Sequence, residues 1–556
     1  METEDINIDY DKIEALYLNK KEYKFPRDIE IFEGKLGLIS YELSTSNTIT
    51  SEFTLTEKEK QCFSIIMDIL KKHNLTSTIC RVAGGWVRDK LLGKESDDID
   101  IALNDMKGST LATLINEELY PGKNKVGIIQ QNVEKGKNLE TATIKINNTW
   151  IDLVNLRCED KNKIGTPVTD AERRDLSINS LFYNINEGKV EDFTNKGIKD
   201  LQNGIIETPI DAEITFKDDP LRILRMLRFA IKYKFRIGYN INNYIGKNKE
   251  NIIKNFYENI SKERIEKELY KIFNMNNSSF AIAYLYTFNI LDIILLTKDY
   301  DSETNYDNIF LKIANIYILG EYLFTKRKIF DIEINPENFN KVDFSLLLLT
   351  LYFRNKKNNN DLSLMSQQIL KFTYKTSTDF LKSNYLMCAY FDELFGLINQ
   401  ENYNRLLIGK TLRKITYKNI LPCLYTSIAY EYVEKNQLNN LLDNIDNNCL
   451  ENIIEKNKRF FNYIKNEDMM HIDKMKPLFN GKELLDKLNM KAGKEIGILI
   501  EYLLDEQIKD PKLSKDDAIE LLKKKKDEIV INVNENTNDK NNHSKKNNNK
   551  KNKKGK

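Results

Sequence analysis

The sequence predicts an α+β domain built on one sheet, followed by an all-helical region. Between Thr78 and about Ile206, short runs rich in β-branched residues alternate with helical segments and turns, which is typical of a compact mixed domain. From Pro220 onward, apolar residues recur at helical spacing instead. A chain of 556 residues has room for roughly three to five domains, so one small module is excluded.

Composition and charge narrow the class of protein. Hydrophobic residues make up 41% and charged residues 30% of the chain, which fits a globular protein and excludes a fibrous or mainly disordered one. The formal net charge is only +2, and residues 531–556 alone hold eight lysines. A polyanionic partner must therefore be held by local basic patches, because the global field does not attract it.

Cysteines, apolar runs and the amino terminus exclude further classes. The six cysteines form no CxxC pair, which argues against a disulfide framework and a structural zinc site. The longest apolar run, from Phe344 to Phe353, is about half the length that crosses a bilayer and predicts a buried helix, so we expect no membrane association. The acidic start METEDINIDYDK resembles no targeting segment. We expect a cytoplasmic or nuclear protein and leave an organellar (mitochondrial) isoform open.

The elements can be assigned in order along the chain. Residues 1–54 form a polar extension, and Leu55 to Leu75 form an amphipathic helix with Thr56 and Glu59 placed as a capping box. Strands are predicted in TICRVAGG, DIDIAL, TATIKI, WIDLVNL and SINSLFYNI. Helices are predicted in LRILRMLRFAIKYKF, ISKERIEKELYKIF, FSLLLLTLYF, LPCLYTSIAYEYVEKN and IGILIEYLLDEQI. Residues 531–556 are rich in Asn and Lys and are expected to be disordered, since no apolar surface offsets the ordering entropy.

Two glycines and two aspartates mark the first candidate site. Gly84 and Gly85 follow a predicted strand and open a helix, where backbone amides can approach a triphosphate and Arg88 can add a charge-assisted contact. Asp98 and Asp100 lie two apart on the next strand and therefore share a face. Two such carboxylates can bridge two Mg²⁺ ions that align a hydroxyl with a phosphate. A bare DxD is more often a solvated loop, and the strand, glycine and helix context favours the catalytic interpretation.

A third carboxylate is expected on a neighbouring strand. Asp152 alternates with the apolar Ile151 and Leu153, so its side chain points away from the core. It completes a catalytic set with Asp98 and Asp100, and an ordinary exposed strand aspartate is the alternative interpretation.

Several segments together resemble one protein family. AGGWVRDKLLG with DDIDIAL, LETATIKI with IDLVNLR, RRDLSINSLFYN and DDPLRILRMLRFA are similar to the motifs of class II tRNA nucleotidyltransferases, the CCA-adding enzymes, and most to their eukaryotic members. The resemblance covers residues 55–275 and returns at 476–525. It implies a nucleotidyltransferase palm with a polymerase-beta-like sheet, followed by an all-helical neck, body and tail. The bounds are 1–54 for the extension, 55–205 for the head, 206–290 for the neck, 291–465 for the body, 466–530 for the tail and 531–556 for the Asn/Lys-rich end.

The resemblance also implies an activity, a cofactor and partners. Such an enzyme adds C, C and A to the 3′ end of tRNA from CTP and ATP with Mg²⁺ (two ions), without a nucleic-acid template, and releases pyrophosphate. It holds the acceptor stem and TΨC arm of tRNA by shape and phosphate contacts, and we expect a monomer. An A-adding or CC-adding relative, a poly(A) polymerase of the same family and a non-enzymatic RNA-binding scaffold are the alternatives. The resemblance places the determinant of C or A addition in a flexible loop, here residues 104–138.

The base-selecting site can be argued from hydrogen-bond chemistry. Asp219 and Arg222 stand three apart at a helix start, so their side chains can lie on adjacent surface. A carboxylate only accepts and a guanidinium only donates, so the pair matches the amino group and ring nitrogen of cytosine or adenine and rejects uracil and guanine. By resemblance these are the nucleotide-selecting residues. The alternative is helix capping, because an aspartate before Pro220 is also an ideal N-cap.

The other candidates for nucleotide binding rest on the resemblance. Arg225 and Arg228 continue the three-residue spacing of Arg222, opposite an apolar stripe, and match arginines that the family uses on the incoming nucleotide. A solvated basic face is the alternative interpretation. The segment with Arg174, Asp175 and Asn179 resembles the one that contacts ribose and phosphate. For Glu263, Arg264 and Glu268 we favour structural salt bridges.

Overall fold

The computed structural model describes ten stretches of the chain, and they fall into two compact units. The first unit comprises Met1–Arg327, Gln367–Ser377 and Val433–Ile445, and the second Lys328–Ser366, Thr378–Tyr432 and Asp446–Lys556. The described residues are 35–36, 39–40, 53–123, 126–129, 140–158, 163–295, 306–335, 338–353, 378–442 and 445–528. The predicted bounds of head, neck, body and tail form a finer division and stay predictions.

The first unit is built on one seven-stranded mixed sheet. Its strands are β3 (Cys80–Ala83), β4 (Ile99–Leu103), β5 (Gly127–Ile129), β6 (Thr141–Ile146), β7 (Thr149–Asn155), β8 (Phe182–Asn184) and β9 (Lys189–Glu191). They lie in the order β5-β6-β7-β4-β3-β8-β9, and only the neighbours β4 and β7 run parallel. Two-residue pairs lie outside the sheet: β1 (Lys35–Leu36) with β2 (Ile39–Ser40), and β10 (Ile205–Ile206) with β11 (Arg236–Ile237).

The helices up to Lys326 precede, connect or follow the strands of the sheet, and Gly108–Leu119 packs on β6 and β7. The first begins at the predicted capping box, in which Thr56 and Glu59 exchange side-chain and backbone hydrogen bonds. The α-helices are Glu57–Lys72, Gly85–Leu91, Gly108–Leu119, Pro167–Glu172, Gly197–Asn203, Ala212–Asp218, Arg222–Tyr233, Tyr239–Lys247, Lys249–Asn259, Lys262–Phe273, Ser279–Thr287, Asp292–Leu295 and Tyr306–Lys326.

Beyond Lys328 the described elements are helical, which confirms the predicted fold class. The apolar run forms the buried helix Lys341–Thr350. Phe479, Leu484, Leu499, Leu503 and Leu522 belong to a small core near the carboxyl end. The other α-helices are Thr378–Ile398, Arg405–Ile415, Tyr417–Asn436, Asn447–Asn466, Gly481–Leu488, Lys494–Lys509 and residues 515–528, with 3₁₀ turns at Leu351–Phe353 and Ile472–Lys474. Within the described residues, no helix has the length and apolar character needed to span a bilayer.

Two sequence-based expectations about local structure are wrong. SINSLFYNI is a strand only at Phe182–Asn184 and begins with a 3₁₀ turn at Ser177–Asn179. Its polar side chains bond locally, as when the Asn179 amide donates to Asp175 Oδ1 at 2.9 Å, and such bonds compete with strand pairing.

The predicted flexible loop of residues 104–138 contains regular structure. Gly108–Leu119 is a helix because Leu111, Ala112 and Ile115 recur at helical spacing and are fully buried. Residues 127–129 form β5, whereas 124–125 and 130–138 lie outside the described residues. Residues 531–556 and most of 1–54 also lie outside the described residues. The disorder of 531–556 and the polar extension at 1–54 therefore stay predictions.

Close packing at Gly108 yields a test of the head. A Cβ built on Gly108 would lie 2.2 Å from the backbone oxygen of Leu153, in the strand that carries Asp152. We expect Gly108→Ala to lower the free energy of unfolding by about 1–3 kcal/mol, because the helix must move off the strand. Thermal unfolding measures this.

Gly127→Ala is the matched control, since its Cβ would meet its nearest atom at 3.9 Å. Equal melting temperatures for the two variants would contradict the packing argument.

Candidate active site

The parallel pairing of β4 with β7 brings two carboxylates side by side. The register pairs Asp100 with Asp152, and Thr143 of β6 lies opposite Asp152 on its other side. Thr143 Oγ1 donates a hydrogen bond to Asp152 Oδ1 at 2.5 Å. Asp98 is exposed immediately before β4, while the intervening Ile99 is buried. Alternation along the strands therefore places these carboxylates on the face away from Ile99.

The electrostatics of this row suit a divalent cation. Burial, together with the charges of Asp98 and Asp152, raises the pKa of Asp100 to about 6. A cation would relieve that repulsion, and Mg²⁺ takes hard oxygen ligands, often one or two carboxylates plus substrate phosphates. Within the described residues, no three Asp, Glu, His or Cys side chains are already gathered as a metal site. The row thus fits an ion that substrate oxygens help to hold.

Gly84 forms the turn between β3 and the next helix. Its φ of +75° favours glycine, and its N–H donates to the Leu181 carbonyl at 2.9 Å. A Cβ at this position would lie 2.6 Å from Arg174 Nη1. The turn is therefore closed against Arg174, and Gly85 begins the helix that follows.

Arg88 lies in the interior, with only 4% of its surface exposed. Its guanidinium donates to Asp89 and to the Asn179 side-chain oxygen, and it stacks within 5 Å of the ring centroids of Phe229 and Tyr233. These contacts favour a positioning function for Arg88 over a direct phosphate contact, and its nucleotide-binding role stays a prediction.

Asp175 is the charged centre of the segment after the 167–172 helix. Its Oδ2 accepts from Arg225 Nε at 2.8 Å and Nη2 at 2.7 Å, while its Oδ1 accepts from Asn179 and the Leu176 amide. Burial alone would raise the pKa of Asp175, but Arg225 and Asn179 outweigh it and hold the pKa far below its usual range. Asp175 and Asn179 thus bind protein groups, and their nucleotide contacts stay predictions.

Arg174 lies against the turn formed by Gly84. Its Nη2 lies 3.1 Å from Asp170 Oδ2, its Nη1 donates to the Asn179 carbonyl at 3.3 Å, and its buried Nε has no hydrogen-bond partner in the structure. The Arg174 side chain is 13% exposed and that of Arg88 4%, so the guanidinium of Arg174 is the more accessible of the two to a ligand at this turn.

The predicted arginine face lies on the helix Arg222–Tyr233, here called the arginine helix. Arg225 pairs with Asp175 and Arg228 with Glu268, so neither is a simply solvated cation. The opposite stripe, including Leu224 and Leu227, is buried. The structural salt bridge expected for Glu268 is present.

Asp219 and Arg222 lie at the start of this helix but are held by different partners. Asp219 Oδ2 accepts from Arg264 Nη2 at 2.6 Å, and its Oδ1 accepts from the Leu221 amide at 3.2 Å. Arg222 donates to the carbonyls of Thr215 and Arg173 and to Asp218 Oδ2, with distances of 2.8 to 3.0 Å. The Leu221 contact gives Asp219 part of the capping role, whereas no side chain caps the first residue of the helix.

Sequence reasoning missed two contacts at the site. Arg264 was expected in a structural salt bridge, and it does pair, but with the candidate base-selecting Asp219 across 45 residues. Thr143 was passed over, although its place in the alternating TATIKI strand puts it on the open face. The position of Thr143 could have been predicted from the strand alternation, whereas the pair of Arg264 with Asp219 had no signal in the sequence.

Residues 80–207, which contain the carboxylate row and the glycine turn, match the family model Poly A polymerase head domain, so this part of the chain is a nucleotidyltransferase head. The chain is 31% identical over 528 residues to the mitochondrial CCA tRNA nucleotidyltransferase of Candida glabrata, covering 86% of this chain and 97% of the relative. The mitochondrial CCA tRNA nucleotidyltransferase of Saccharomyces cerevisiae is 29% identical, covering 82% and 91%. The chain belongs to the family of CCA tRNA nucleotidyltransferases and is an enzyme of nucleotidyl transfer.

Solved structures support the same fold. The Thermotoga maritima CCA-adding enzyme complexed with tRNA superposes with a TM-score of 0.55 at 19% identity, covering 84% of this chain and 95% of that chain. The agreement extends well beyond the matched head domain into the helical part.

The buried ion pair of Asp175 yields a stability prediction. Asp175→Asn leaves Arg225 without its carboxylate, so we expect a loss of about 1–3 kcal/mol in the free energy of unfolding at pH 7. Because the folded pKa is depressed, this stabilisation is fully present above the unfolded value near 3.9 and is lost only as pH falls towards the folded pKa. Thermal unfolding should show the same gap at pH 6 and pH 8.

The control is Asp68→Asn, an exposed aspartate on the 57–72 helix. A Tm change as small for Asp175→Asn as for this control would show that the pair contributes little.

Proposed function

We propose that this chain extends tRNA 3′ ends with C, C and A from CTP and ATP, using the row of carboxylates on β4 and β7. The observation that carries the proposal is the pairing of Asp100 with Asp152, in a chain that matches a CCA tRNA nucleotidyltransferase over 97% of that relative's length. The nucleophile would be the RNA 3′-hydroxyl.

Asp98 and Asp100 are the residues proposed to hold Mg²⁺. When bound, the ion supplies charge neutralisation for the reacting phosphate and a more acidic hydroxyl. Asp152 shares the row with Asp100, and the bond from Thr143 fixes its orientation. The three carboxylates together set the place where the reacting groups meet.

The triphosphate is proposed to bind at the Gly84 turn. Gly84 and Gly85 offer backbone close to the ligand, and the guanidinium of Arg174 beside Gly84 supplies charge. Arg225 and Arg228 extend the positive face, with Asp175 and Glu268 holding their side chains in place. Arg88 and Asn179 act as positioning residues, because they join the turn to the arginine helix.

Base selection is proposed for Asp219 and Arg222. Three of the five N–H donors of Arg222 are taken by fixed protein oxygens, which orients the remaining donors. The two oxygens of Asp219 each accept one bond and keep further lone pairs for an amino group. This arrangement favours bases with an amino donor beside a ring acceptor, as in cytosine and adenine.

The tRNA contacts and the compartment are also proposals. A structural neighbour is a complex with tRNA, and others are complexes with ATP and CTP, which supports these substrates here. Acceptor-stem and TΨC-arm recognition and a monomeric state remain expectations. The two fungal relatives are described as mitochondrial, so mitochondria join cytosol and nucleus as compartments to test with a tagged full-length chain.

The metal assignment and the reaction are tested together on tRNA lacking its 3′ CCA. The wild-type chain should add two C from CTP alone and one A once ATP is present. Asp100→Asn should lower kcat at least about a thousand-fold for both bases, since several kcal/mol of transition-state stabilisation are lost. Binding of tRNA should be unchanged in a filter assay.

Asp97→Asn is the matched control, because Asp97 is an exposed neighbour of Asp98. Substantial turnover by Asp100→Asn would sink the assignment of the carboxylates. Addition of A alone by the wild type would instead identify an A-adding relative.

Base selection is tested by Asp219→Ala. Removing the acceptor should reduce C-over-U selectivity in kcat/KM roughly ten- to a hundred-fold, because a hydrogen bond to a charged group contributes about 1.5–3 kcal/mol. Catalysis should persist at a lower rate. Loss of a cap alone would cost about 1 kcal/mol of stability and leave selectivity unchanged.

NTP preference and Tm are therefore measured on the same variant. Unchanged selectivity with a lowered Tm would remove Asp219 from the base-selecting site.

A further inference from the structure

Trp150 and Ile214 are the most exposed large apolar side chains among the described residues. Trp150 lies on β7 of the sheet that carries the carboxylate row. It has 58% of its surface exposed, whereas the second tryptophan, Trp86, is 1% exposed. Tryptophan is enriched at binding interfaces, where its ring packs against a partner. None of the functions assigned above uses it.

The strand register places Trp150 beside the carboxylate row. Trp150 lies two residues before Asp152 on β7, so both share the open face and stand about 7 Å apart along the strand. Continuing the β4–β7 register by one residue brings Asp98 next to Trp150. The ring therefore lies on the same face of the sheet as the carboxylate row and close to it.

The surroundings of Trp150 are cationic and polar. Lys145 is its cross-strand partner on β6, and the Lys145 Nζ lies 5.6 Å from the ring centroid. Trp150 and Lys145 line an open cavity of about 670 Å³, together with Tyr120, Asn147 and Asn148. A stacking ring, a cation and side-chain amides are the groups that bind single-stranded RNA.

We propose that Trp150 stacks against one of the last bases at the 3′ end of the RNA acceptor, with Lys145 beside a phosphate. This rests on the proposed function, because it assigns the substrate end that must reach Asp98 and Asp100. The incoming nucleotide is a poorer occupant, since the groups proposed for its triphosphate and base lie at Gly84 and Asp219. Trp150 would thus be a primer-binding residue.

Tryptophan emission of the full-length chain tests this directly. Trp86 is buried against Phe53, Phe63 and Tyr183. It also follows the glycine turn proposed for the triphosphate, so the titration uses RNA without nucleotide and is repeated on Trp150→Leu. Emission of the wild type should be quenched by tRNA lacking its 3′ CCA, and this quenching should be lost in Trp150→Leu. Equal quenching by RNA in the two proteins, or none in the wild type, would overturn the proposal.

Steady-state kinetics supply the second readout. Trp150→Leu should raise the KM for tRNA about five- to thirty-fold, the lower part of the range for loss of one base stack, with the KM for CTP unchanged. Trp150→Phe keeps a ring and should restore most of the affinity. Lys145→Ala should reduce the salt dependence of tRNA binding by about one unit of slope.

Tyr270→Leu is the matched control, because Tyr270 is an aromatic side chain of equal exposure, 57%, outside the sheet. An unchanged KM for tRNA in folded Trp150→Leu would overturn the proposal. If Trp150→Leu does not fold, the wild-type chain alone decides: unchanged tryptophan emission on adding RNA would overturn the proposal. RNA quenching without any nucleotide addition by the wild type would instead reject the proposed function and keep the RNA contact.

Discussion

The site depends on two like charges that the backbone forces together. Parallel pairing of β4 and β7 sets Asp100 opposite Asp152, and the two backbone positions cannot separate without breaking strand hydrogen bonds. The buried Ile99, Ile151 and Leu153 fix the strand faces, and a one-residue slip would turn these side chains outward. The packing of the sheet thus compensates for the repulsion between the carboxylates. Together the carboxylates create a region of negative potential that can bind a cation.

The arginine side chains near the carboxylate row are held by other acceptors and do not pair with the row. Arg225 is held by the buried Asp175 and Arg228 by the buried Glu268. Arg88 is fixed by Asp89, Asn179 and the rings of the arginine helix. Each arginine has its own acceptor, so the carboxylate row stays available to a ligand. Preorganisation of this kind avoids reorganisation at the moment of reaction.

Sequence patterns predicted the parts of this structure that are local. The capping box at Thr56, the DxD alternation and the arginine helix each follow from the spacing of a few neighbouring residues. The helix at Gly108–Leu119 was missed because a resemblance to a flexible loop outweighed the helical spacing of Leu111 and Ile115.

Contacts between distant segments could not be predicted. The pairs Arg264 with Asp219 and Arg225 with Asp175 join residues 45 and 50 positions apart. Their partners depend on how helices pack, and a single sequence does not encode that in any short pattern. The exposure of Trp150 is a different case, because its alternation with the buried Ile151 places it on the same face as Asp152 and could have been read from the sequence.

The crossed pairing at the start of the arginine helix leaves hydrogen-bonding groups of Asp219 and Arg222, the residues proposed for base selection, available to a ligand. A direct bond between Asp219 and Arg222 would satisfy the acceptor with the donor and leave little for a ligand. Here the adjacent Asp218 holds Arg222, and the distant Arg264 holds Asp219. Each side chain is therefore oriented by a third group while it keeps unsatisfied hydrogen-bonding capacity. The neighbouring Asp218 and Asp219 thus have different partners, and the sequence DDPLR alone does not show which aspartate pairs with which arginine.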